Sequence, residues 1–214
     1  GPLSPPHPYL AAVEPYDWCR CDPPWLGGLA CPLCAPDRQF LSSGVRGQLV
    51  RRYAWAVPND EALVAIAALG PVVEVGAGTG YWASLLAARG VDVVAYDAKP
   101  YRNHWCDGRY YSVRTGGWAV TAKHPDRALL VCWPPMGDGA TKALAAYAGR
   151  MVVYIGERPG GCCADDDFFA RLDQGWREVG TVEVPQWWGL HDALWIYERN
   201  GEGASATHAD GGQP

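Results

Sequence analysis

Four groups of residues in this chain have the types and spacing for chemistry. The first is Glu74-Val75-Gly76-Ala77-Gly78-Thr79-Gly80, with Asp97 further on. The others are Cys132-Trp133-Pro134-Pro135-Met136, the pair His191-Asp192, and the cysteines Cys19, Cys21, Cys31 and Cys34. A glycine-rich turn lets backbone approach a ligand closely. A carboxylate two residues before the first glycine sets the sign of charge that ligand should carry. A pyrophosphate at the helix N-terminus would meet Glu74 as like charge in a poorly screened site, whereas a cation would be attracted. Asp97 follows at about 20 residues, the distance at which an acid accepts hydrogen bonds from ribose hydroxyls in dinucleotide folds.

The elements that must hold these residues follow from the flanking pattern. Val72 to Val75 is a β-branched run entering the turn. Tyr81 to Ala88 has apolar residues at helical spacing, closed by Gly90, and the run from Val91 to Asp97 is a second strand. The spacing Glu-x-Gly-x-Gly-x-Gly departs from the dinucleotide fingerprint Gly-x-Gly-x-x-Gly. S-adenosylmethionine shares the adenosine but carries a sulfonium and an ammonium in place of phosphate.

Glu74 to Gly80 with Asp97 resembles the first two motifs of the class I S-adenosylmethionine-dependent methyltransferases, over roughly residues 50 to 200. The resemblance implies an α/β fold: a doubly wound, mostly parallel seven-stranded sheet with an antiparallel last strand, here with a small Cys-rich N-terminal extension. It also implies cofactor contacts from Glu74, Gly76, Ala77, Gly78, Tyr81, Asp97, Ala98 and Cys132. Tyr53-Ala54-Trp55-Ala56-Val57-Pro58 is similar to the segment that closes over the methionine end of the cofactor in amino-methyltransferases. Tyr53 and Trp55 are candidates for that lid, or else pack on the sheet edge.

The remaining elements take the chain in order. Asn59 is placed to cap a helix with Leu63, Ile66 and Ala67 on one face, ended by Gly70. Tyr110 to Arg114 is expected as a short third strand, with Thr115-Gly116-Gly117 as the turn beside the adenine. A fourth strand, Arg127 to Trp133, must leave the sheet at Pro134-Pro135, because proline cannot continue a central ladder. A helix over Thr141–Ala148, a buried strand over Met151–Ile155, a helix over Asp165–Leu172 and an antiparallel pair, Trp176–Val184 and Ala193–Glu198, complete the pattern.

Cys132 to Met136 resembles the Asn/Asp-Pro-Pro-aromatic motif of methyltransferases that modify amino or amide nitrogens. There the polar residue and the first prolyl carbonyl hold the acceptor. Here Trp133 stands in the polar position and Met136 in the aromatic one, so Trp133 and Pro134 are candidates for the acceptor side while nitrogen as acceptor is in doubt. Trp133 either stacks on a flat acceptor or walls the pocket. His191 is the candidate general base, because its ordinary pKa near 6.5 suits the task and Asp192 or Glu157 can orient it. A lone histidine also has a structural reading.

The cysteines form C-x-C-x9-C-x2-C. In a reducing compartment such a group reads as structural zinc held by Cys19, Cys21, Cys31 and Cys34, or as free thiols in a buried loop. A four-thiolate shell leaves no open position for catalysis. Cys106, Cys132, Cys162 and Cys163 read as small buried hydrophobes. Arg38, Arg46, Arg51 and Arg52 make the next segment locally basic, either a solvated face or a grip on an anionic substrate.

At 214 residues, 49% apolar, the chain has material for one domain with an extension. The expected divisions are a loose Pro-rich stretch over 1–17, the Cys-rich extension over 18–48, the methyltransferase domain over 49–200, and a disordered tail over 201–214. A formal net charge of −5 argues against non-specific duplex binding, which relies on lysine and arginine neutralising phosphates. No apolar run reaches membrane-spanning length and no signal segment opens the chain, so a cytoplasmic protein is expected. Eleven tryptophans, several in polar contexts, suit flat apolar ligands.

The leading expectation is therefore methyl transfer from S-adenosylmethionine to a small, flat, anionic or neutral acceptor, a specialised metabolite or a nucleobase. Two alternatives stand beside it. One is a ribosomal or transfer RNA base methyltransferase with an N-terminal zinc module, which Cys31-Pro32-Leu33-Cys34 resembles. The other is a non-catalytic partner that keeps the cofactor fold.

Overall fold

The computed structural model describes residues 6–16, 39–187 and 189–201 of the chain. Within the stretch 1–17, expected to be loose, residues Pro8–Val13 form helix α1, while residues 1–5 and 17 lie outside the described residues. Pro8 sits at the helix start, where its missing N–H costs nothing, and the His7 side chain caps the turn by accepting from the Leu10 N–H. Tyr9 and Val13, one turn apart, are buried. Helix α2, Gln39–Arg52, spans the position expected as the boundary at 48/49.

The Rossmann-like core follows in the expected order. Helix α3 (Asp60–Ala67) is capped by the Asn59 side chain, which accepts from the Ala62 N–H. Strand β1 (Val72–Val75), helix α4 (Tyr81–Ala88) and strand β2 (Val93–Asp97) form the first unit. Strand β3 is Val113–Thr115, three residues further along than the hydrophobic pattern suggests at its start. Then come β4 (Ala128–Cys132), α5 (Gly139–Ala146), β5 (Met151–Gly156), α6 (Asp166–Gly175), β6 (Trp176–Glu183) and β7 (Ala193–Arg199).

These strands make one seven-stranded sheet in the order β3-β2-β1-β4-β5-β7-β6. The pairs among β1 to β5 are parallel, and β7 runs antiparallel to both neighbours. Strand parity divides the core into two layers. Val73, Val75, Leu129, Val131, Val152 and Tyr154 face α5 and α6, while Val72, Leu130, Val153 and Ile155 face α3 and α4. Glu74 shares the parity of Val72 and so enters the α3/α4 layer, yet it sits one residue before the strand ends. That position aims a carboxylate at the sheet's C-terminal edge.

A third apolar cluster joins Tyr9, Val13, Tyr53, Val57, Tyr81 and Trp187. It explains why a loop carries a tryptophan at 187: the ring is a core element binding the β6–β7 connection to α1 and α4. Among the described residues no helix is long and apolar enough to cross a membrane.

Candidate active site

The sheet order reverses between β1 and β4, and open α/β folds bind ligands at the carboxyl edge of such a point. A cavity of about 730 Å³ opens there. It is lined by the turn after β1, the end of β2, the glycines after β3, the end of β4 and the segment from Arg46 to Trp55.

The turn is built by backbone bonds. The Ala77 N–H donates to the Tyr96 carbonyl at 2.9 Å, and the Gly80 N–H to Ala77 at 2.8 Å. Gly76 and Gly80 require glycine for different reasons. At Gly76 (φ +66°) a Cβ would lie 2.9 Å from the Trp118 ring, so the indole can lie against the turn only where no side chain intervenes. At Gly80 (φ +76°) a Cβ would meet the Tyr111 Cβ at 2.8 Å.

Asp97 closes the turn from β2. Its Oδ2 accepts from the Gly78 N–H at 2.9 Å and its Oδ1 from the Lys99 N–H at 2.8 Å. Both oxygens keep lone pairs for a ligand in the cavity. Glu74 is 2% exposed, and its Oε2 is buried without a hydrogen-bond partner among the described residues. Burial pushes the Glu74 carboxyl up to about 8, and the negative charge of Asp97 acts in the same direction. A buried carboxyl oxygen lacking a partner is costly, and a cation in the cavity would offset the cost of ionising it. The residues therefore fit a cofactor with positive charge beside Glu74 and a ribose beside Asp97.

The expected cofactor residues Tyr53, Trp55, Glu74, Gly76, Ala77, Gly78, Tyr81, Asp97, Ala98 and Cys132 all line this one cavity, as do Trp133 and Pro134. Tyr53 is also tied into the aromatic cluster, stacked on Tyr9 at 5.0 Å and Tyr110 at 5.7 Å. It is thus a fixed wall. Trp55 is more open: its Nε1–H donates to the Trp105 carbonyl at 2.9 Å and its ring tilts against Trp133 at 5.3 Å.

Trp133 occupies a left-handed backbone conformation (φ +50°), which costs a bulky residue on the order of 1–2 kcal/mol. Its N–H donates to the Ile155 carbonyl at 2.7 Å, and its indole Nε1–H donates to Asp192 Oδ1 at 2.9 Å. Asp192 is 1% exposed, and its Oδ2 has no partner among the described residues. Burial raises its carboxyl to about 7; the Trp133 hydrogen bond opposes this, the Glu157 charge adds to it and Arg46 opposes it. The Pro134 carbonyl accepts from the Ala164 N–H at 3.2 Å, so part of its capacity is already used within the fold.

His191 lies elsewhere. Its side chain is 77% exposed and lines a separate depression with Glu157 and Arg158. The buried Glu157 carboxylate accepts from the backbone N–H groups of Cys162 and His191 at 3.1 and 3.3 Å, which pins the β6–β7 connection to the loop after β5. Cys19, Cys21, Cys31 and Cys34 lie outside the described residues. Among the described residues no group of three or more His, Cys, Asp or Glu side chains is arranged to hold a metal.

Several site residues escape the linear pattern. Trp105, Trp118 and Cys162 line the cavity from segments with no periodicity, and Arg46 was visible only as one of four arginines. Asp192 drew notice as a partner for His191. Its actual partner, Trp133, is far away in sequence.

The strand order, with β7 antiparallel between β5 and β6, decides the architecture. This is the class I S-adenosylmethionine-dependent methyltransferase fold. No family sequence profile matches this chain, and no curated protein matches its sequence. Among solved structures it is similar to the 1,6-didemethyltoxoflavin-N1-methyltransferase of Burkholderia thailandensis, determined with 1,6-didemethyltoxoflavin and S-adenosylhomocysteine bound. That identity is 15%, covering 94% of this chain and 93% of that one, with a TM-score of 0.49. It is similar also to magnesium protoporphyrin IX methyltransferase from Synechocystis PCC 6803 with bound S-adenosylmethionine, at 14% identity over 76% of this chain and 80% of that one (TM-score 0.46). A third is an S-adenosylmethionine-dependent methyltransferase from Corynebacterium glutamicum, at 18% identity over 77% of this chain and all 100% of that one (TM-score 0.45).

Proposed function

We propose that the protein is a methyltransferase that uses S-adenosylmethionine to methylate a small, flat acceptor. The observation that carries this reading is the buried, unpaired Glu74 oxygen at the turn between β1 and α4, opposite Asp97 in the same cavity. A phosphate-bearing cofactor would oppose ionisation of Glu74 and bring its own negative charge beside Asp97. A sulfonium or ammonium supplies the missing partner.

When bound, the cofactor supplies an electrophilic methyl carbon. The chain's own contribution is positional. Asp97 holds ribose hydroxyls, Glu74 holds the cationic amino-acid end, and Gly76 lets Trp118 lie against the turn. Trp133, Trp55 and Trp105 form aromatic walls around the acceptor and exclude water from it. Holding two reactants in line accounts for much of the acceleration in a displacement of this kind, and a base is needed only where the acceptor's proton has a high pKa. Trp133 is kept in place by Asp192, and Pro134 ends β4 so that the indole sits at the cavity rather than in the ladder.

The test is calorimetry with S-adenosylhomocysteine and with NAD. Binding of the first with no heat from the second supports the reading; the reverse result ends it. Methylated product trapped from labelled cofactor over a panel of planar acceptors would separate an enzyme from a non-catalytic binding protein.

A further inference from the structure

Arg46 lies on α2, away from the glycine turn, and lines the same cavity. Its guanidinium carbon is 5.3 Å from the Trp55 ring centre and 5.7 Å from that of Trp133, and the two indoles are themselves 5.3 Å apart. Its Nε and Nη2 are buried and have no hydrogen-bond partner among the described residues. It forms no ion pair with any described carboxylate. The carboxyl that feels its charge, Asp192, is engaged with the Trp133 indole instead.

Such an arrangement leaves the arginine half satisfied. Indole faces attract a guanidinium over its plane, but they offer nothing to the N–H groups that point outward within that plane. Buried donors without acceptors are costly. Arginine differs from lysine in presenting a flat fork of donors that matches a carboxylate with two parallel bonds. The two indoles lie beside the guanidinium carbon and beside each other, and neither offers an acceptor to its buried N–H groups. What fits is a planar oxyanion reaching it from within the cavity.

The location says which molecule carries that anion. Trp133 stands at the end of β4, on the acceptor side of the site, and Trp55 is its neighbour. We propose that Arg46 binds a carboxylate on the acceptor, so that the substrate class is flat aromatic acids whose ring lies along Trp55 and Trp133. The word acceptor rests on the methyltransferase reading; the anion site itself rests on Arg46.

The experiment uses full-length protein, with and without saturating S-adenosylhomocysteine. Benzoate, quinoline-2-carboxylate and anthracene-9-carboxylate are each titrated beside the matching carboxamide, and binding is followed by tryptophan fluorescence and calorimetry. The wild type should bind at least one acid about tenfold or more tighter than its amide, the effect of one charge-assisted pair. Arg46→Gln should remove that preference, and Arg46→Lys should restore only part of it. S-adenosylhomocysteine affinity should be the same in all three proteins, which also checks folding. The proposal fails if no pair shows a preference in the wild type or if Arg46→Gln keeps it. It fails equally if the substitution weakens S-adenosylhomocysteine and not the acids, because the anion would then belong to the cofactor. Absence of S-adenosylhomocysteine binding in the wild type would sink the methyltransferase reading alone, since the acid and amide comparison without it still tests Arg46.

Discussion

The indole Nε1–H of Trp133 donates to the buried carboxylate oxygen Oδ1 of Asp192 at 2.9 Å, across 59 positions of sequence. This bond joins the end of β4 to the segment leading into β7 and fixes the plane of a ring whose backbone is already in an unfavourable region. Trp133→Phe keeps much of the ring but leaves Asp192 buried with neither oxygen paired, a loss of about 1–3 kcal/mol. Urea unfolding should show it. Asp192→Asn should cost far less, because the amide oxygen still accepts from the indole and no charge is buried. The two variants also differ in their response to pH. The Asp192 carboxyl is raised from 3.8 to about 7 in the fold, so between those values the folded state holds a proton the unfolded state has released. Stability from this group is therefore full below its ordinary pKa and is lost as pH rises toward about 7. Relative to wild type, Asp192→Asn should gain stability as pH is raised through that window. A constant offset between the two would contradict the assignment.

Glu74 makes the affinity for a cationic ligand depend on pH. Its carboxyl is raised to about 8 by burial, so at neutral pH the protein without ligand holds a proton there. A sulfonium or ammonium favours the ionised form, and uptake of S-adenosylmethionine near neutrality should release that proton. Affinity should rise from about pH 6 toward about 8, by up to tenfold per unit, and then level off. Titrations in buffers of different ionisation heat would count the proton. Glu74→Gln should abolish the release and weaken binding roughly 10- to 100-fold, from the ~1.5–3 kcal/mol of a hydrogen bond to a charged group.

The glycine turn depends on Trp118 as much as on the turn itself. Gly76→Ala adds a Cβ 2.9 Å from that indole and strains a residue at φ +66°, so S-adenosylhomocysteine affinity should fall and Trp118 fluorescence should shift. The backbone part of the cost is on the order of 1–2 kcal/mol. Adding Trp118→Ala should recover the steric part of the stability loss and leave the backbone part. If the two changes are additive in unfolding experiments, the contact has no energetic meaning.

His191 serves as a negative control for catalysis. Its ring is largely in solvent, in a depression separate from the main cavity. His191→Ala should change stability by no more than about 0.5 kcal/mol and leave kcat for methyl transfer to the acceptor within roughly threefold. A loss of a hundredfold or more would show that the ring turns into the site during turnover.

Much of this fold was open to inspection as a line of letters. Local rules act over a few residues, and they suffice to locate β1, the turn, α4 and β2, the Asn59 cap, the proline stop after β4 and the closing antiparallel pair. The charge sign of Glu74 and its distance from Asp97 likewise follow from neighbours along the chain. Strand β3 was displaced because its Val113–Thr115 ladder is too short to show an alternation, and α1 was missed because proline content hid an i,i+4 pair, Tyr9 and Val13.

What the line of letters could not decide is which distant side chains become neighbours. The sheet order carries the ends of β1, β2 and β4 to one edge, and only then do Glu74, Asp97 and Trp133 share a cavity. Folding put Asp192 under Trp133 and left His191, its neighbour in sequence, facing solvent. It also set Arg46 against two indoles distant in sequence, where two of its guanidinium nitrogens became buried. Burial and pairing are properties of three-dimensional surroundings, and so the values that matter most for function here, the raised carboxyls and the unpaired guanidinium, exist only in the folded chain.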